Sequence, residues 1–227
     1  MRFLPIILFT LSFCSASKSI KASDITKSLM AGKAVQIKNA VIEGDLDFSK
    51  AGASFPLNSA ASETQVNFNV YFEKCVFKGK VNAENVRFNS NVIFLDSEFQ
   101  KEVNFGGATV FGMVNFSKSV FKENADFNQM TVWAKNSYFS EITANKRFSL
   151  DGTSFLGNLS LMNAKFAGKF SLQEVFVQEN LQSANANFGG ATDFAMLRTG
   201  NRAIFRYASF KHKPDFSESK FAEAPEM

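Results

Sequence analysis

The chain offers little to chemistry: one histidine, two cysteines and carboxylates scattered among lysines. His212 lies in the run Lys211-His212-Lys213 and reads as a solvated corner, because a lone imidazole between two cations has no second ligand and no orienting acid. Asp45 with Asp47, and Glu98 with Glu102, have the residue types for general acid–base work. Neither pair has an unusual basic or aromatic neighbour in sequence, so both read as solubilising charge. Gly106-Gly107 and Gly189-Gly190 lack the lysine that a phosphate-cradling loop carries and read as turns. If Cys14 leaves with an N-terminal signal, Cys75 is alone, which excludes an internal disulfide or a cysteine metal cluster and makes it a small buried hydrophobe. No catalytic residue, metal ligand or cofactor is assigned.

The elements that position these residues are set by phenylalanine. The chain has 28 Phe against three Tyr and one Trp, recurring in steps of five and six: Phe72, Phe77, Phe88, Phe94, Phe99, Phe105, Phe116, Phe121 and Phe127, then again from Phe155 to Phe221. That period is neither helical nor simple alternation, and it predicts a solenoid in which each short segment adds one ring to a continuous core. In blocks of eleven from Val92, position one (Val92, Val103, Val114, Ala125) and position three (Phe94, Phe105, Phe116, Phe127) point inward. Position six is small, as at Ser97, Ala108 and Ser119, and position eight returns to Phe99 and Phe121. Inward residues two apart flank one outward residue, which is strand alternation. Gly, Asn, Ser, Asp and Lys follow each pair as corners. Two blocks close a square coil, and one extra residue is inserted around 135–137.

The unit V-N-F-x-x-A-x-F-x-G, repeated from about Val66 to Ala224, resembles the pentapeptide-repeat family, in a Phe-rich variant with alternating five- and six-residue steps. The resemblance implies an all-β solenoid, a right-handed quadrilateral β-helix. Roughly seven coils at ~4.8 Å make a rod of about 34 Å over 66–224.

Residues 1–16 read as a signal peptide: Arg2, an apolar stretch from Phe3 to Phe13, then Ser15-Ala16, with a second cleavage position after Ala22. The apolar stretch is too short to span a bilayer. A lipoprotein anchored through Cys14 is disfavoured because Phe13 stands where a small residue belongs. An exported, periplasmic or secreted protein is expected, with no membrane span. Residues 23–65 are expected to hold a short capping helix, with Ser23-Asp24 as its N-cap and Ile25, Leu29 and Met30 as its apolar face. A first coil follows, then a loop over Ser49–Gln65. The tail after Phe221 is too short to cover the last coil, which predicts an end-to-end homodimer through the C-terminal coils.

One departure from the repeat points to a contact surface. Where Val110 and Val132 take the inward place, Phe111 and Trp133 follow at position nine, and Leu156 holds it one coil later. These three are expected on one outer corner, unless a local register shift turns a ring inward. Arg198, Arg202, Arg206, Lys211 and Lys213 wrap the rod and make no single basic face, and the formal charge of +4 does not imply nucleic acid. The expected function is an exported, non-enzymatic binding or interaction scaffold with a protein or glycan partner. The alternatives are a glycan-binding or glycan-cleaving β-helix, and the topoisomerase-binding DNA mimicry that the resemblance implies. The second of these wants an acidic cytoplasmic surface that this chain lacks.

Overall fold

The computed structural model describes residues 18–56 and 62–227. Strands of two to five residues build four sheets, parallel throughout except for one hairpin, and the sheets form the four faces of a β-solenoid. The first face runs through Val35–Lys38, Val70–Glu73 and Val92–Leu95, and the second through Ala40–Glu43, Val76–Phe77 and Glu98–Phe99. The third carries Leu46–Asp47, Val81–Asn82 and Val103–Asn104, and the fourth Val86–Phe88, Thr109–Val110 and Thr131–Val132.

Register shows why the repeat closes. Val70, Val92 and Val114 pair in sequence on the first face, so one coil is 22 residues. Val132 pairs with Val110, 22 residues back, whereas Ser137 pairs with Val114, 23 back. The extra residue therefore falls between Trp133 and Ser137. One corner in each block of eleven is held by a residue with positive φ, among them Asn39, Lys74, Asn85, Asp96, Lys118 and Gln129. Asn, Asp and Gly suit that left-handed conformation, yet Met196 and Tyr207 adopt it too. Stacking of the coils overrides local preference at those positions.

The core is a packed column of rings. Phe72, Phe94, Phe116 and Phe139 stack with centroids 5.0, 5.1 and 5.4 Å apart and nearly parallel planes, and Phe77, Phe99 and Phe121 do the same on the second face. Offset stacking adds about 0.5–1.5 kcal/mol per pair beyond burial. The second ladder breaks at Ala144, which pairs with Phe121 below and Phe166 above. Phe148 from the third face, standing where other coils have Val103 or Ala125, packs 5.4 Å from both rings. Ring volume is thus moved from one wall to the next and the core density is kept.

At the N-terminal end, Lys18–Lys21 pairs with Ala40–Glu43, and a helix, Ala22–Met30, lies over the coil with Ala22, Ile25 and Leu29 buried. Its N-cap is Lys21, without a side-chain cap, and Met30 is exposed, so Ser23-Asp24 does not cap it and Met30 is not part of its apolar face. The described residues of the segment expected as a loop over 49–65 form regular elements instead. Phe48–Lys50 forms a 3-10 turn, and Ala53–Pro56 pairs antiparallel with Ser62–Val66 at the edge of the fourth face. At the other end the tail does not stop short: Glu226 bridges Ile204 in parallel, and Phe205 N donates to its carbonyl at 2.6 Å. The tail adds one more rung to the first face, while Phe210, Phe216 and Phe221 remain partly buried.

Candidate functional site

On the fourth face, pairs such as Thr109–Val110 and Thr131–Val132 put Thr outward and Val inward. Val110 and Val132 are fully buried, so the next residue turns out again at the corner. Backbone bonds fix the rungs: Phe111 N donates to the Phe88 carbonyl, Trp133 N to Val110 and Leu156 N to Val132, each at 2.9 Å. Phe111 and Trp133 are 38% and 53% exposed, which excludes the register shift that would have turned them inward, and Leu156 is half-buried beside them.

The two rings lie parallel, with centroids 5.8 Å apart and planes within 5°. The Arg87 guanidinium sits 4.4 Å from the Phe111 centroid, and its Nε donates to Asn89 Oδ1 at 3.1 Å. Arg87 comes from the coil below and Trp133 from the coil above, so both faces of the Phe111 ring are covered and its edge meets solvent. Sequence reasoning missed Arg87, and it missed Phe176, which is exposed one rung beyond Ser154 on the same face. The signal for Phe176 was its place immediately before the inward Val177, as Thr131 precedes Val132.

The other sequence candidates serve the fold. Asp47 accepts from Ser49 N, Ser49 Oγ and Asn82 Nδ2, and Asp45 accepts from Lys80 N at 2.8 Å. Burial pushes the Asp47 carboxyl up, but the hydrogen bonds from Ser49, Lys50 and Asn82 outweigh it and hold the group below the usual carboxylate value. Glu98 pairs with Lys122 at 3.5 Å and Glu102 with Lys80 at 3.6 Å. His212 is exposed. Cys75 is buried and its thiol donates to the Glu73 carbonyl at 3.4 Å; burial pushes that thiol up, away from reactivity. Among the described residues no group of His, Cys, Asp and Glu could hold a metal ion. No described helix is long and apolar enough to cross a membrane. Cys14 lies outside the described residues.

A family model described as pentapeptide repeats (9 copies) matches residues 61–109, and the same coil continues to the last described strand, Lys220–Phe221. Residues 61–109 thus carry the repeats of the pentapeptide-repeat family. No match was found among curated proteins or solved structures. Pentapeptide-repeat β-solenoids are typically non-catalytic, and the described carboxylates of this one are engaged in corners and surface ion pairs rather than gathered in a cleft.

Proposed function

We propose that this pentapeptide-repeat protein is an exported, non-enzymatic interaction scaffold whose fourth face receives a protein partner. The observation that carries the reading is the column of Arg87, Phe111, Trp133 and Leu156. It sets two exposed rings, Phe111 and Trp133, between a guanidinium and a half-buried leucine on a regular frame, the aromatic and arginine composition of contact surfaces. A sugar stacks on an open aromatic face; Phe111 has none and Trp133 gives one of its two to Phe111, so the column favours a protein surface over the glycan-binding or glycan-cleaving alternative. Export is supported by the N-terminal sequence. Cleavage after Ala16 leaves the strand Lys18–Lys21 and its pairing with Ala40–Glu43 intact, whereas cleavage after Ala22 would remove that strand and the first residue of the helix.

The partly buried Phe210, Phe216 and Phe221 support the further reading that two copies join end to end. That reading predicts a dimer mass in light scattering that Phe221→Asp reduces to a monomer.

Trp133 is the only tryptophan and so reports directly on the face. A photo-crosslinker placed at Thr131 should join a protein partner in the intact cell, and Phe111→Ala with Trp133→Ala should abolish the crosslink. Binding of the purified protein to neutral glycans, lost in the same double variant, would replace this reading by the glycan one. N-terminal sequencing of the protein recovered from the culture medium or periplasm tests the export step.

A further inference from the structure

Charge on the rod is organised by coil rather than by sequence neighbourhood. At the corner between the second and third faces, residues 142–148, 164–170, 186–192 and 208–214 come from four successive coils and contain no Asp or Glu. They carry Lys146, Arg147, Lys165, Lys169, Lys211 and Lys213, all exposed. Arg147 meets Asp151 at 3.7 Å, and Lys213 adds a weak pull on Asp215, whose carboxyl is held low chiefly by the Ser217 N–H. Among the described residues no carboxylate lies within ion-pair distance of Lys146, Lys165, Lys169 or Lys211. One corner therefore carries cations on three of four successive rungs and a carboxylate on none, while the coils before it balance Lys78, Lys80 and Lys122 against Glu43, Glu102 and Glu98.

The cations stand in tiers. Lys165 pairs with Asn187, and Asn187 with Ser209. Between the tier of Lys165 and Lys169 and the tier of Lys211 and Lys213 therefore runs the flat segment Asn187-Phe188-Gly189-Gly190-Ala191. Its Gly190 is explained by the fold, since a Cβ there would collide with the Gly168 backbone of the coil below. The result is a shallow notch between two tiers of lysine about 9.6 Å apart, with Asn187 and Ala191 exposed along it.

We infer that this notch binds a linear anionic polysaccharide, one bearing carboxylate, sulfate or phosphate groups on its sugars. Lys165 projects from the second face and Lys169 and Lys213 from the turn into the third, so a flat bilayer cannot touch both sets, whereas a flexible chain can bend around the corner. Among the described residues of this corner the exposed ring is His212, with Phe210 partly buried, and one imidazole between two lysines does not make the succession of stacking platforms that a single-stranded nucleic acid uses. What remains is recognition of a polyanion by charge and spacing, with ion release as the driving term. This inference does not depend on the fourth face.

The test uses the mature chain and a sulfated polysaccharide as probe, at about 0.15 M salt. The variant Lys165→Gln, Lys169→Gln, Lys211→Gln, Lys213→Gln should bind at least tenfold more weakly, with a shallower dependence on salt. A charge-matched variant, Lys33→Gln, Lys74→Gln, Lys118→Gln, Lys135→Gln, should bind within twofold of wild type. Unchanged thermal unfolding of both variants shows that the coil is intact. Equal weakening in both variants, absence of wild-type binding, or single-stranded DNA binding more tightly through the same four lysines each overturns the proposal. Trp133→Ala should leave the affinity unchanged, which separates this site from the partner face.

Discussion

Ser119 Oγ ties two coils together: it accepts from Ser97 N at 3.1 Å and donates to the Phe94 carbonyl at 2.7 Å, in a fully buried position. The hydroxyl thus serves one backbone donor and one backbone acceptor of the coil below. Ser119→Ala strands the Ser97 N–H in the core and should cost about 1–3 kcal/mol, measured as a shift of the urea midpoint at unchanged slope. Ser119→Thr should recover part of the loss, because Thr153 makes the same pair of bonds to Met130 N and the Phe127 carbonyl.

Phe116 stands mid-ladder between Phe94 and Phe139, and no neighbour can collapse into its space. Phe116→Ala should destabilise by about 3–5 kcal/mol. Asn115, its outward neighbour, is not a neutral control, since its Oδ1 accepts from Ser117 N at 2.9 Å and holds the corner. Asn115→Ala should cost about 0.5–1.5 kcal/mol, and the same change at Lys118 less than about 0.5 kcal/mol. A denaturant series across the three sites ranks them.

Ser183 occupies an inward position between coils whose equivalents are Leu161 and Phe205, and its hydroxyl finds no partner. Removing an unsatisfied buried hydroxyl relieves its desolvation cost. Ser183→Ala should therefore hold or raise the thermal midpoint, in contrast to Ser119→Ala, and calorimetry of the two side by side checks the pair.

Acid should weaken the coils that hold depressed carboxylates, Asp47, Glu73 and Glu102 toward the N-terminal end and Asp215 toward the other. Glu73 is held low by its hydrogen bonds with Lys38 and Tyr71, and Asp47 is low as described above. A carboxylate depressed in the folded state binds fewer protons there than when unfolded. Its contribution is complete above the ordinary carboxylate value, about 4, and is lost as pH falls through the lower folded value. Thermal midpoints taken downward from pH 6 should fall below that point, and Asp47→Asn should flatten the fall.

The sequence carried the ring ladders openly, because Phe72, Phe94 and Phe116 repeat at the coil length. It carried the exposed pair less directly: Phe111 and Trp133 were legible only once Val110 and Val132 were placed inward. The hairpin at 53–66 was obscured because its polar residues have no alternation to display. The cationic corner was overlooked for a different reason. Its lysines are neighbours across coils, whereas Arg198 to Lys213, adjacent in sequence, scatter around the rod. An asparagine column, Asn69, Asn91, Asn136, Asn158 and Asn180, was equally present at coil spacing, interrupted once at Met113. Its side chains bond from coil to coil at the corner before the first face.

The antiparallel hairpin shows how much this frame tolerates. Val35 still pairs with Val70, and Leu46 with Val81, although 35 residues separate each pair instead of one coil of 22. Part of the added length forms the strand Ala53–Pro56 at the edge of the fourth face and the winding resumes in step, because each rung asks only that its two neighbours meet it. A peptide of similar length grafted at this junction should leave both pairings in place. The rod could then carry a foreign epitope or reporter while the ring ladders go on stacking beneath it.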